Sequence, residues 1–267
     1  MDINKEHPVL EGAEVISNLA QTYKQLYLRP GDGADMYAAV VKLGVDPEPK
    51  DLSHFVTNPE DTSFFNVTPA GDVRVITLHE RHDFETFLMI MGNKCRVYEI
   101  PATQGACILD GVINRPRYEA GNPDFKDALI ILSVGPYSGV PYDRTPFTED
   151  EWIKLSHTIR QYHECTHFVC RRMFREKIDP IWDELVADAV GLMAAVGKYD
   201  TVLANTFLGI TDGKYTGGRL ENYTDPNEIL PRVISAMESI KEESIKKEWE
   251  PFEFAIHMEQ IKESLWQ

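Results

Sequence analysis

The sequence has little positive charge, few cysteines and no long apolar segment. Lys and Arg total 27 against 43 Asp and Glu, so the formal net charge of the 267 residues is −16. Because binding to phosphate groups needs a basic surface, we expect neither nucleic acid nor an anionic membrane as a main partner. No stretch of about 18 apolar residues is present, so no transmembrane helix is expected.

The four cysteines form no C-x-x-C pair, the spacing that zinc knuckles and redox motifs use. The opening residues, MDINKEHPVLEGAEVISNLA, lack the basic start and apolar run of a secretory signal. We therefore expect reduced thiols and a cytoplasmic location. What the sequence does contain is 12 Phe, 11 Tyr and 4 Trp, which excludes a mainly disordered chain.

The order of the secondary-structure signals predicts an α+β fold in a single domain, 1–267. Residues 1–71 suggest a helix at 10–27 followed by loops with short pieces of structure. Residues 72–146 are strand-rich, and residues 147–267 are helical. Because strands and helices are segregated, a mixed or antiparallel sheet followed by helices is expected. The β-prone runs are VRVITL, ETFLMIM, CRVYEI, ACILDGVI and ALIILSV, with a tight hairpin predicted at Gly92-Asn93.

Two start signals define the helical region. Thr148 with Glu151 three residues later is a capping box, and an apolar stripe at spacings of three and four follows it. Asp179 before Pro180 is a second start, because a capping carboxylate followed by proline suits the first helical turn. The predicted helices cover about residues 149–175, 180–197, 226–247 and 251–265.

Inside the first of these helices lies the H-E-x-x-H motif of His163, Glu164 and His167. Residues four apart share one face of a helix, so the two imidazoles can bind one Zn²⁺. Glu164 lies about 100° round the helix, where it can hold a water at the metal and act as general base. The plain alternative is a helix with two half-buried histidines.

A catalytic zinc needs a third protein ligand and one open position. The next helix offers Glu184 and, four residues on, Asp188. An antiparallel return brings Glu184 towards the metal and Asp188 behind His163, where a carboxylate can fix the histidine tautomer. Asp183 and Asp188 stay open as alternative third ligands.

H-E-x-x-H followed by E-x-x-x-D on the next helix resembles the gluzincin group of zinc metallopeptidases. The resemblance covers His163 to Asp188 and implies a zincin-like fold, with His163, His167 and Glu184 as zinc ligands and Glu164 as general base. It further implies Asp188 as the partner of His163. Sixteen residues separate His167 from Glu184, fewer than in the familiar members, and no G-x-M-E-N-like substrate strand is present.

The downstream histidine that thermolysin-like enzymes use on the oxyanion also has no counterpart, because only His257 follows His167. The segment 214–223 is the best replacement, since its glycines allow a tight turn near a site. It offers Tyr215, Arg219 and Tyr223 as candidate donors to developing negative charge. Tyr137 and Tyr142 are weaker candidates.

These features predict a zinc-dependent hydrolase that acts on a peptide or small amide. The second hypothesis is a non-catalytic zincin-like domain that binds a metal or a partner without turnover. The third is a helical interaction module with a chance motif, in which the two histidines cannot share an ion.

Overall fold

The computed structural model of the chain describes residues 9–16, 55–88, 99–113, 117–118, 120–123, 125–175 and 178–266. The described residues divide into two compact units, one from 1–67 and 72–134 and the other from 68–71 and 135–267. The single zincin-like domain over the whole chain stays a prediction. No helix in the described ranges has both the length and the apolar character that crossing a bilayer requires.

The first unit is built on a mixed five-stranded sheet of order β1-β2-β3-β5-β4. Strand β5 runs parallel to β3 and antiparallel to β4, which confirms the predicted mixed sheet. The apolar side chains of β3 and β5 are buried because both strands lie inside the sheet. The strands are β1 (Leu10–Glu11), β2 (Thr62–Thr68), β3 (Gly71–Leu78), β4 (Ala106–Ile113) and β5 (Lys126–Ser133).

One expectation for this unit is wrong. The start of the ETFLMIM run belongs to a helix, α1 (Arg81–Phe87), because Phe84, Phe87 and Leu88 are spaced to bury one helical stripe. Strand β2 is one of the short pieces of structure expected among the loops before residue 72. The helix predicted beyond residue 16 and the Gly92-Asn93 hairpin lie outside the described residues.

The second unit is helical, and its four long helices confirm the sequence-based prediction. Thr148 and Glu151 form the capping box, and the Asp179 carboxylate accepts from the first N–H groups of the next helix. The helices are α2 (Glu149–Met173), α3 (Pro180–Val196), α4 (Thr201–Leu208), α5 (Pro226–Ser244) and α6 (Pro251–Leu265). A short hairpin of β6 (Ile210–Thr211) and β7 (Lys214–Tyr215) follows α4.

Helices α2 and α3 approach closely at Gly191. A Cβ atom there would lie 2.7 Å from the carbonyl oxygen of Ile159, so we expect Gly191→Ala to lower the free energy of unfolding by about 1–3 kcal/mol. Helix propensity alone predicts the opposite sign, a gain of about 1 kcal/mol. Urea unfolding measures the difference, and a stabilised variant would contradict this packing.

A buried carboxyl in α6 predicts a pH dependence of stability. Burial raises the pKa of Glu259 to about 7, with Lys262 opposing and Asp183 reinforcing the shift. The folded state therefore keeps its proton while the unfolded chain, with a pKa of about 4.3, loses it. This contribution to stability is complete below about pH 4 and is lost as the pH rises to 7.

Glu259→Gln cannot ionise. We therefore expect its unfolding free energy, relative to that of the wild type, to increase by about 1–3 kcal/mol between pH 5 and pH 8. Denaturant unfolding at both pH values measures this gain. Glu263→Gln, at an exposed position of the same helix, is the control. Parallel pH profiles for wild type and Glu259→Gln would refute the assignment.

Candidate metal centre

Three side chains of α2 and α3 converge in the second unit. His163 and His167 lie one turn apart on α2, and their Nε2 atoms are 2.9 Å apart. The Glu184 carboxylate of α3 lies 3.4 Å from His163 Nε2 and 3.3 Å from His167 Nε2. Both histidines are buried and Glu184 is half-buried. The three side chains form a group that could hold a metal ion.

A carboxylate lies behind each imidazole. Asp188 Oδ1 is 3.0 Å from His163 Nδ1, and Asp183 Oδ2 is 2.7 Å from His167 Nδ1. An ionised carboxylate only accepts hydrogen bonds, so each Nδ1 carries the hydrogen. In a neutral imidazole the Nε2 atom then presents a lone pair, which is the form that binds a metal.

The positions of the three carboxylates bear on the choice of third ligand. Glu184 lies beside the two Nε2 atoms, whereas Asp183 and Asp188 lie on the Nδ1 side of the rings. The arrangement therefore presents Glu184 to a metal and uses Asp183 and Asp188 to orient the histidines.

The electrostatics of this group favour a positive charge between its members. Burial lowers the pKa of His167, but Asp183 and Glu184 outweigh burial and raise it to about 10. Burial raises the pKa of Glu184, but the two histidines hold it well below its usual range. With neutral imidazoles, the three carboxylates outnumber the two guanidinium groups paired with them, those of Arg171 and Arg219. A bound cation would offset this excess of negative charge.

The spacing of the donor atoms fits a tetrahedral ion. Bonds of about 2.0–2.2 Å place tetrahedral ligand atoms roughly 3.3–3.6 Å apart. Glu184 places Oε2 at 3.4 Å from His163 Nε2 and Oε1 at 3.3 Å from His167 Nε2, so each oxygen lies at this spacing from one imidazole. The two Nε2 atoms are 2.9 Å apart. This distance would increase by about 0.4 Å when an ion binds, which needs only a small rotation of either ring.

The predicted oxyanion donors occupy different places. The Tyr215 hydroxyl lies 2.7 Å from Glu221 Oε2 and accepts from the N–H of Gly218. Its hydrogen bonds therefore stay within its own loop. Glu184 helps to raise the pKa of the Tyr223 hydroxyl, after burial as the main cause. Arg219 pairs with Asp188 and lies 4.0 Å from Glu184 Oε2. Of the three predicted donors, Arg219 and Tyr223 thus interact with the group of His163, His167 and Glu184 or its partner carboxylate, whereas Tyr215 does not.

Glu164 follows His163 on α2 and is half-buried. Within the described ranges, its carboxylate has no hydrogen-bond or ion-pair partner. A carboxylate that is not held by neighbouring side chains is available to a water or a substrate at the centre.

The sequence did not predict that Asp183 and Tyr137 contact the two histidines. Asp183 orients His167, and its position immediately before Glu184 was the available signal. Tyr137 places its hydroxyl 2.8 Å from His163 Nδ1, although it lies 26 residues earlier in a Gly- and Pro-rich loop. That contact is tertiary and has no sequence signature.

The fold and the site together define an α+β protein with two buried histidines and a half-buried glutamate in a group that could hold a metal ion. The chain belongs to a family of unknown function (DUF7005), whose model matches residues 120–263. This match includes every residue of the candidate centre. No curated protein and no solved structure matches the chain.

Proposed function

We propose that the chain is a zinc-dependent hydrolase of peptide or small amide bonds, with a zincin-like fold of the gluzincin type. One observation carries the proposal. On an H-E-x-x-H helix, two imidazoles that are each oriented by a carboxylate meet a third carboxylate within 3.4 Å.

The donor set supports zinc as the metal. Imidazole nitrogen and carboxylate oxygen are zinc ligands, and two histidines with one glutamate leave a fourth position for water or substrate. Magnesium and calcium prefer sites made of oxygen atoms alone. When bound, zinc supplies Lewis acidity and makes a water molecule more acidic.

Glu164 supplies the proton transfer in this proposal. Its carboxylate accepts a proton from the water that attacks the carbonyl carbon and then donates it to the leaving nitrogen. Tyr223 is the remaining candidate donor towards developing negative charge, since its hydroxyl interacts electrostatically with Glu184. Burial raises the pKa of Tyr223 above its usual value, so it stays a hydrogen-bond donor at neutral pH.

Incubation of the purified chain with a diverse peptide library tests this function. Mass spectrometry of new termini should show cleavage by the zinc-loaded protein and none after removal of zinc with a chelator. Retained zinc without turnover would favour the alternative, a non-catalytic zincin-like domain that binds a metal or a partner. Failure to bind zinc would refute both.

A further inference from the structure

The Tyr137 hydroxyl joins three polar groups behind the metal-binding face of His163. It lies 2.7 Å from Asp188 Oδ1, 2.8 Å from His163 Nδ1 and 2.9 Å from Arg219 Nη1. Tyr137 and Asp188 are 4% and 2% exposed, so water does not replace these contacts. We call these four side chains the Tyr137 node.

The hydrogen atoms of the Tyr137 node can be assigned from donor and acceptor chemistry. Arg219 only donates and the Asp188 carboxylate only accepts. The Tyr137 hydroxyl therefore accepts from Arg219 and gives its own hydrogen to Asp188. Its hydrogen is then not available to His163, so His163 Nδ1 must itself be the donor. This assignment fixes the tautomer whose Nε2 lone pair faces the metal.

Arg219 uses both terminal nitrogens in the Tyr137 node. Nη1 donates to Tyr137, and Nη2 forms an ion pair with Asp188 Oδ2. An arginine engaged in this way acts on Asp188 rather than on a substrate oxygen.

Backbone contacts hold Tyr137 and Arg219 in place. A Cβ on Gly209 would lie 2.4 Å from the carbonyl carbon of Gly217, so only glycine allows the loop that carries Arg219 to approach this closely. The Tyr137 N–H donates to Ser156 Oγ at 2.9 Å, and the next residue, Ser138, has a left-handed φ of 54°. Strained residues of this kind persist where the surrounding structure determines them.

We propose that Tyr137 and Arg219 are positioning residues of the metal centre. They hold Asp188 against His163 and thereby set metal affinity through the tautomer and orientation of His163. This inference rests on the proposed metal binding and replaces the expected oxyanion role of Arg219.

Competition with a chromophoric zinc chelator tests the proposal on the full chain. Partners of this kind contribute about 10–100-fold to metal affinity, so Tyr137→Phe and Arg219→Gln should each weaken zinc binding by that factor. Arg219→Lys keeps the charge but not the fork geometry, and it should recover part of the loss. At saturating zinc, kcat should return to within about threefold of the wild type.

Matched controls remove the same chemical groups elsewhere. Tyr118→Phe and Arg144→Gln alter exposed residues and should leave zinc affinity unchanged. Unchanged affinity in Tyr137→Phe, or a fall in kcat alone in the Arg219 variants, would overturn the positioning role. If Arg219→Gln does not fold, Tyr137→Phe and Arg219→Lys give the same decision. Failure of the wild type itself to bind zinc would instead refute the proposed function.

Discussion

Replacement of either histidine by alanine is expected to remove the metal. Zinc binding worth about 10–16 kcal/mol, when shared among four ligands, amounts to roughly 2.5–4 kcal/mol for each ligand. His163→Ala and His167→Ala should therefore weaken zinc binding about 10²–10³-fold. Elemental analysis should find one zinc per wild-type chain and little in either variant after dialysis.

The chain offers a histidine as the control for this experiment. His157→Ala changes a half-buried residue of α2 six positions before the motif, which places it on another face of the helix. Its zinc content should equal that of the wild type. Equal zinc in all three variants would mean that the ion binds elsewhere.

Glu164→Gln is expected to lower hydrolysis about 10²–10⁴-fold while zinc content stays at one per chain. Glutamine keeps the size and the hydrogen-bonding oxygen of the side chain but cannot take a proton. Because Glu164 has no partner in the described part of the chain, the loss should be chemical rather than structural. Initial rates on a peptide found by library cleavage, with parallel metal analysis, separate the two effects.

Glu149→Gln changes an exposed carboxylate in the first turn of α2 and should leave the rate unchanged. Full activity in Glu164→Gln would contradict the general-base role of Glu164. Loss of zinc together with activity would show that Glu164 supports the centre rather than the proton transfer.

The helices of the second unit could be predicted because their signals are local. The capping box at Thr148 and the Asp179-Pro180 pair define the starts of α2 and α3, and periodic apolar residues follow each start. The spacing of His163 and His167 fixes their shared face, since four residues make about one turn.

The choice among three carboxylates could not be made from the sequence. Asp183, Glu184 and Asp188 all lie on the face of α3 turned towards α2, and the crossing of the two helices decides which one meets the Nε2 atoms. That crossing depends on the close approach at Gly191, a tertiary contact. Local rules such as helical periodicity do not specify it.

The other differences between the sequence-based expectations and the structure also arise from tertiary contacts. The ETFLMIM run has the composition of a strand, but burial of Phe84 and Phe87 on one face selects a helix at its start. The role of Arg219 depends on its contact with Tyr137, 82 residues earlier in the chain. A motif search can find a candidate donor, but only the fold shows that its nitrogens are already engaged.

The central claim is that His163, His167 and Glu184 hold one metal ion. X-ray absorption fine structure at the zinc edge of the zinc-loaded protein tests it most directly. We expect a first shell of two imidazole nitrogens and carboxylate or water oxygens, all at about 2.0–2.2 Å. A sulfur shell near 2.3 Å, which would place a cysteine on the ion, or a shell without imidazole, would contradict the claim.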